Sequence, residues 1–265
     1  MRLLQLSDPH LLADPAGLFR QRRPWQRLAL ALHQAQALRP RPDLLLISGD
    51  LCQDETWAGY ARLRDLLAAW PTPVALLSGN HDHPQLLRAA LGRRAWLAPL
   101  LLELAGVRLI LLNSHRAGCT EGWLGQHQLA WLARQIAQLA QAPDPLPLLV
   151  AVHHPPVPIG DAGMDAIGLA DAAPLLALLR PLPGLQAVLF GHVHQHWQGL
   201  LPGRPEHLPP VLLLGCPSTL CGFGPVQPCP LGRPDDPGGL LLHLAPGLPL
   251  QHRLLRWTAP PPHPA

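Results

Sequence analysis

Residues 187–197 read AVLFGHVHQHW, an apolar run that breaks at Gly191 and then sets histidines at 192, 194 and 196. A buried strand that opens into imidazoles places metal-type ligands at its carboxyl end. The same event recurs along the chain: RLLQLS ends in Asp8-Pro9-His10, DLLLISG in Asp50, VALLSG in Asn80-His81-Asp82, and LPLLVAV in His153-His154-Pro155. Helix-like segments lie between these runs, at residues 24–38 (Pro in the first turn), 56–69, 83–91, 125–141 and 171–179. Strand, helix, strand is α/β grammar, and continuous apolar strands suit a sheet covered on both faces. Working groups in such sheets sit at the carboxyl ends of strands, so the five clusters are expected to converge on one edge.

The residue types indicate the chemistry. On an extended segment Asp8 and His10 face one side, as do His192 and His194, so each pair reads as able to grip one ion. The glycines before Asp50, Asn80 and His192 read as points where the backbone turns sharply. Carboxylate, imidazole and amide ligands without a thiolate suit Mn, Fe or Zn rather than a structural cysteine site. Seven such ligands are too many for one ion. Two ions roughly 3.5–4 Å apart and sharing a carboxylate form a clamp for phosphoester hydrolysis, and Asp50 reads as the bridge.

In this order the blocks DxH, GD, GNHD, HxP and GHxH resemble the calcineurin-like metallophosphoesterase superfamily, from Asp8 to about Gly222. The resemblance implies one ion held by Asp8, His10, Asp50 and His194 and a second held by Asp50, Asn80, His153 and His192. Within HHPP it puts the ligand on His153 and leaves His154 to orient the loop. His81 would face the substrate as the catalytic acid, with His10, Asp50, Asn80 and His194 also contacting it. The implied fold is a four-layer α/β/β/α sandwich of two mixed sheets flanked by helices, with strands at 211–214, 240–245 and 250–257 finishing the second sheet.

The phrases HHPPVPIGDAGMDAIGLADA, GDLCQDETWAGYARL and CPSTLCGF are similar to the bacterial class III cyclic-nucleotide phosphodiesterases. That likeness implies a small-molecule substrate, a 3′,5′-cyclic nucleotide with cyclic AMP foremost, opened by in-line attack of a hydroxide bridging the ions. Glycerophosphodiesters and 2′,3′-cyclic nucleotides are the alternative substrates. It also implies that the chain can pair as a homodimer. Met164 and Asp165 would lie in a lid segment, and Pro217-Ser218-Thr219 at a strand end near the site. The chain departs from the branch at Leu220-Cys221-Gly222, where Cys-x-Gln is usual, and in a Pro- and Gly-rich loop at 224–239. The missing Gln bears on nucleotide selectivity.

Composition excludes several other classes. A chain of 265 residues with 48% hydrophobic content can bury a large core, and residues 1–258 read as one domain before a disordered Pro-rich tail at 259–265. The net charge of +3 is spread along the chain and carried entirely by arginine, so no nucleic-acid groove is expected. Acidic and turn residues follow Met1 too early for a secretory segment, and Glu103, Gly106 and Arg108 break the longest apolar stretch, so no membrane span is expected. The five cysteines form no CxxC pair and read as reduced thiols of a cytoplasmic protein rather than a zinc knot at 216–229. Arg20, Arg22 and Arg23 read as a solvated face before a helix. His196 reads as having left the ligand shell, and His115 as a solvated or core histidine.

Overall fold

Short apolar runs bounded by turn residues become strands here, and their buried faces on both sides decide the layering. The computed structural model describes residues 1–141 and 146–258, so the expected tail at 259–265 lies outside the described residues. β1 (Arg2–Leu6), β2 (Leu44–Ile47), β3 (Val74–Leu76) and β4 (Trp96–Leu97) run parallel in one sheet. The second sheet holds β5 (Leu100–Leu104), β6 (Val107–Leu111), β7 (Leu148–Ala151), β8 (Leu185–Phe190), β9 (Trp197–Leu200) and β10 (Leu212–Gly215), in the order β5-β6-β7-β8-β10-β9. β11 (Gly238–His243) and β12 (Gln251–Arg256) complete the first sheet, which reads β12-β11-β1-β2-β3-β4.

That last placement corrects an expectation: β11 and β12 do not finish the second sheet. β11 pairs antiparallel with β1, from Arg2 opposite His243 to Gln5 opposite Leu240, so the chain crosses back between sheets after β10. The reason is visible in burial. Leu240 and Leu242 pack between the sheets with Leu3, Leu44, Leu149 and Leu189, while the neighbouring Leu241 joins the helix side.

Three apolar layers result. Leu3, Leu44, Leu46, Leu109, Leu149, Ala187 and Leu189 fill the space between the facing sheets. On the outer face of the first sheet, Leu28, Ala31 and Leu32 of α1 (Pro24–Ala35) and Tyr60 and Leu63 of α2 (Trp57–Leu67) cover Leu4, Leu6, Leu45 and Ile47, with Leu87 of α3 (Pro84–Leu91) beside them. On the outer face of the second, Leu132 of α4 (Gly125–Ala140) and Leu175 and Leu179 of α6 (Ala172–Leu179) cover Ile110, Val150 and Val188. The architecture is therefore α/β/β/α. One polar group spans the central layer: Gln5 Nε2 donates to Ser48 Oγ (2.9 Å) and to the carbonyl of Phe190 in the opposite sheet (3.1 Å).

The helices follow their caps. Pro24 opens α1, Thr56 Oγ1 accepts from Gly59 N at the start of α2, and the Asp171 carboxylate accepts from Leu124 N and Gly125 N to hold the start of α4. α1 ends at Ala35, three residues short of the expected end at 38. A helix that periodicity is too short to show, α5 (Ala162–Ala166), is capped by Asp161, whose Oδ1 accepts from Gly163 N and Met164 N.

Candidate metal centre

β1, β2 and β3 of one sheet and β7 and β8 of the other all point their carboxyl ends at one place, so the expected convergence spans two sheets rather than one. Asp8, His10, Asp50 and His194 offer ligand atoms within 4.8 Å of one another, all from buried residues. His153 and His192 form a neighbouring set beside Asn80, whose Oδ1 lies 3.1 Å from His192 Nδ1. Asp50 faces both sets, with Oδ2 3.6 Å from His10 Nε2 and Oδ1 3.5 Å from His153 Nε2.

The tautomers test whether cations fit. His10 Nδ1 donates to Gln53 Oε1 (2.7 Å) and His194 Nδ1 donates to the Cys221 carbonyl (3.1 Å), so neither Nε2 carries a proton in the neutral rings. Yet those two Nε2 atoms sit 3.0 Å apart. Two lone pairs facing at that distance repel unless a cation lies between them, and two nitrogens each about 2.0–2.1 Å from one metal and at right angles are separated by about 3 Å. His153 Nδ1 likewise donates to the Ser48 carbonyl (2.7 Å), while its Nε2 and that of His192 are buried without a hydrogen-bond partner. The donor set fits metal.

His154 is a different case. It lies close to His153 and His192, but Nδ1 meets the Ser114 hydroxyl (2.8 Å) and Nε2 donates to the Thr120 carbonyl (3.1 Å). Both nitrogens are engaged, so the ring braces the loop and offers no ligand atom.

Residues 1–196 match the family model of the calcineurin-like phosphoesterases. The chain belongs to that family. This phosphoesterase is 50% identical over 268 residues to a probable cyclic nucleotide phosphodiesterase of Synechococcus sp. (strain WH7803), with 97% of each chain covered. It is 34% identical over 223 residues to the 3′,5′-cyclic adenosine monophosphate phosphodiesterase CpdA of Pseudomonas aeruginosa, over 84% of this chain and 78% of that one. Its fold matches a crystal structure of a dimetal phosphatase from Danio rerio with a TM-score of 0.66, 14% identity, and 95% and 98% of the two chains covered. At that identity the structural match speaks for fold alone.

Backbone conformation in the phosphoesterase corrects two local expectations. Asp8, His10, His192 and His194 have φ of 50°, 47°, 68° and 53°, so the left-handed region, not strand alternation, aims these side chains. Nor does each sequence pair fall in one donor set: His194 joins Asp8 and His10, while His192 sits with Asn80 and His153. Asp50 is left-handed too (φ 50°), and such strain persists where surrounding contacts over-determine it. Those contacts are present: the Asp8 carboxylate accepts from His192 N, Ser218 Oγ donates to the Asp8 carbonyl, and Thr219 N donates to the Ser7 carbonyl. Ser218 and Thr219 therefore pin the Asp8 loop.

Of the three glycines expected to turn the chain, Gly49 is left-handed (φ 104°), whereas Gly79 and Gly191 are required for space. A Cβ on Gly79 would overlap Asp50 Oδ1 and lie 2.5 Å from Asp50 N and 2.6 Å from His153 Nε2. Gly79→Ala is therefore expected to cost about 1–3 kcal/mol of stability by overpacking and to reduce bound metal, read by thermal unfolding and metal analysis. Gly224→Ala, with nothing within 4 Å, should leave both unchanged.

Burial dominates the electrostatics. It lowers His10 to about 4 and His192 to about 3, and drives His194 and His154 well below the usual histidine value. These rings are neutral. Burial, with the Asp50 charge added, raises Asp8 to about 7. For Asp50 burial acts upward but His153 overcomes it and holds the carboxyl well below its ordinary range; the reciprocal attraction lifts His153 to about 9 against its own burial. Positive charge is what this carboxylate pair demands.

Two supporting residues escaped the sequence reading of the blocks. Gln53 accepts from His10 Nδ1 and donates from Nε2 to His81 Nδ1 (3.3 Å). Tyr60 donates to Asp82 Oδ1 (3.0 Å) and accepts from His83 N (2.6 Å). Asp82 in turn accepts from Leu51 N, Cys52 N and Gly79 N, tying the Asp50 and Asn80 loops together. Tyr60→Phe removes one bond to a buried carboxylate and strands an amide. It is expected to destabilise the protein by about 1–3 kcal/mol in a denaturant titration.

The flank beside His10 and His194 is aromatic. Phe223 stacks flat on His194 (centroids 4.1 Å, 4°), Phe19 leans on His10 (5.3 Å), and the Arg20 guanidinium lies over both phenyl rings at 4.8 and 5.6 Å. Arg22 instead pairs with Asp235. Gly222 stands where a side chain would collide with the Pro234 carbonyl, so the remodelled 224–239 loop has closed over the place of the usual Gln. His196 is outside both donor sets.

Proposed function

We propose that this phosphoesterase hydrolyses 3′,5′-cyclic nucleotides, cyclic AMP foremost, with two Fe, Mn or Zn ions. The observation that carries the metal reading is the approach of His10 Nε2 and His194 Nε2 to 3.0 Å with both rings protonated on the opposite nitrogen. Asp8, His10, Asp50 and His194 would hold one ion, and Asp50, Asn80, His153 and His192 the other. When bound, the ions supply Lewis acidity to a phosphoryl oxygen and make water nucleophilic near neutral pH. The identity with named cyclic nucleotide phosphodiesterases supports the substrate.

The chain's own part is positioning and proton supply. Gln53 donates to His81 Nδ1, which leaves the proton of the neutral ring on Nε2, free to bind a phosphoryl oxygen or to pass to a departing alkoxide. The His81 amide, bonded to Asp50 Oδ1 (3.0 Å), fixes that ring beside the donor sets. Retention of every ligand together with His81 argues against a scaffold that binds metal without turnover.

Cytoplasmic location and homodimer formation belong to the same reading. The five free cysteines support a reducing compartment, with the thiols of Cys52, Cys216 and Cys221 pushed upward by burial. Among the described residues no helix is long and apolar enough to cross a membrane. The decisive test is a panel of cyclic AMP, 2′,3′-cyclic AMP, glycerophosphodiesters and bis(p-nitrophenyl) phosphate, assayed after reconstitution with Mn²⁺. The highest kcat/KM is expected on cyclic AMP. A higher value on a glycerophosphodiester would transfer the assignment to that class.

A further inference from the structure

We infer that the cleft beside Asn80 seats the nucleoside of the substrate, with Glu55 accepting a hydrogen bond from the exocyclic amino group of the base; this rests on the cyclic-nucleotide reading above. The cleft has a volume of about 470 Å³, within the range of small-molecule sites, and its wall includes Glu55, Asn80, His83, Gln85, His115 and Gly118. Because Asn80 belongs to both the cleft and the second donor set, the cleft adjoins the place where the cyclic phosphate would be held, and the attached nucleoside can extend into it.

The cleft is built to receive polar groups. His83 Nδ1 is buried without a partner, and the Glu55 and Gln85 side chains make no hydrogen bond to the described residues. The His115 ring also lines the cleft, where its backbone amide is anchored to Asn113 Oδ1 (3.1 Å), and offers an aromatic surface on which a base can stack. Glu55 has φ of 50°, a left-handed conformation that a long side chain seldom adopts.

Charge indicates which part of the substrate meets which wall. A carboxylate repels phosphate, so Glu55 suits the end of the ligand that carries N–H donors, and the amino group of adenine is such a donor. The opposite flank cannot take the base, since Phe223 already has His194 flat against it and Arg20 over it.

The test compares cyclic AMP with cyclic IMP, in which a carbonyl oxygen replaces the amino group, for wild type, Glu55→Ala and Glu55→Gln. Wild type is expected to favour cyclic AMP in kcat/KM by about tenfold or more, the scale of one hydrogen bond to a charged group. In Glu55→Ala that preference should collapse toward one through a rise in KM for cyclic AMP, and Glu55→Gln, which keeps one acceptor, should retain part of it. An unchanged preference in Glu55→Ala, or an equal loss on both nucleotides and on bis(p-nitrophenyl) phosphate, overturns the assignment of Glu55. Turnover of bis(p-nitrophenyl) phosphate with none of either cyclic nucleotide by wild type overturns the cyclic-nucleotide reading, and the nucleoside cleft with it.

Discussion

Asp50→Ala is expected to leave fewer than two metal ions per chain and to lower kcat/KM by about 10³-fold or more, because several kcal/mol of Lewis-acid stabilisation depend on it. The geometry makes Asp50 unlike any other residue of the cluster. Its Oδ2 faces His10, its Oδ1 faces His153 and accepts from the His81 amide, and both neighbouring rings sit at 3.5–3.6 Å, so one carboxylate reaches both donor sets. Without the carboxylate, the donor sets lose their common member. Metal analysis of the purified variant, beside wild type and Asp8→Ala, measures this directly. Two tightly held ions in Asp50→Ala would reject the bridging role.

The convergence of the candidate donors was legible because each closes an apolar run at a strand end, a pattern fixed by local sequence and by the α/β rule for carboxyl ends. The layer order was less so. Whether Leu240 and Leu242 face the first sheet or extend the second depends on the crossing of the chain after β10, which no period-two pattern encodes. The aim of each donor was also hidden, since local sequence does not announce left-handed φ at Asp8, His10, Asp50, His192 and His194, and the Asp8 and Asp50 loops are pinned by Ser218, Thr219 and Asp82, residues distant in sequence. Gln53 had a signal that could have been used: it lies three residues beyond Asp50, on the same loop. His115 had none. Its place in the cleft is made by the meeting of the loops after β3 and β6.

His81→Ala is expected to keep both metal ions while kcat on cyclic AMP falls about 10²–10⁴-fold, the scale of a lost general acid. The metal should stay because the contact from residue 81 to Asp50 is made by its backbone amide, which alanine retains. The Gln53 amide fixes which nitrogen of the His81 ring carries the proton. Its oxygen must face His10, whose Nδ1 has to donate if Nε2 is to bind metal, so its nitrogen must face His81 and fix the Nε2–H form there. Two diagnostics separate proton donation from simple phosphate binding. The loss should be smaller on bis(p-nitrophenyl) phosphate, whose leaving group departs without a proton, whereas a binding role predicts equal losses. Gln53→Glu probes the same proton through pH: a carboxylate beside Nδ1 stabilises the protonated His81 ring, so the limb of the kcat profile that falls with rising pH should move to higher pH, and an unmoved profile would remove His81 from proton transfer.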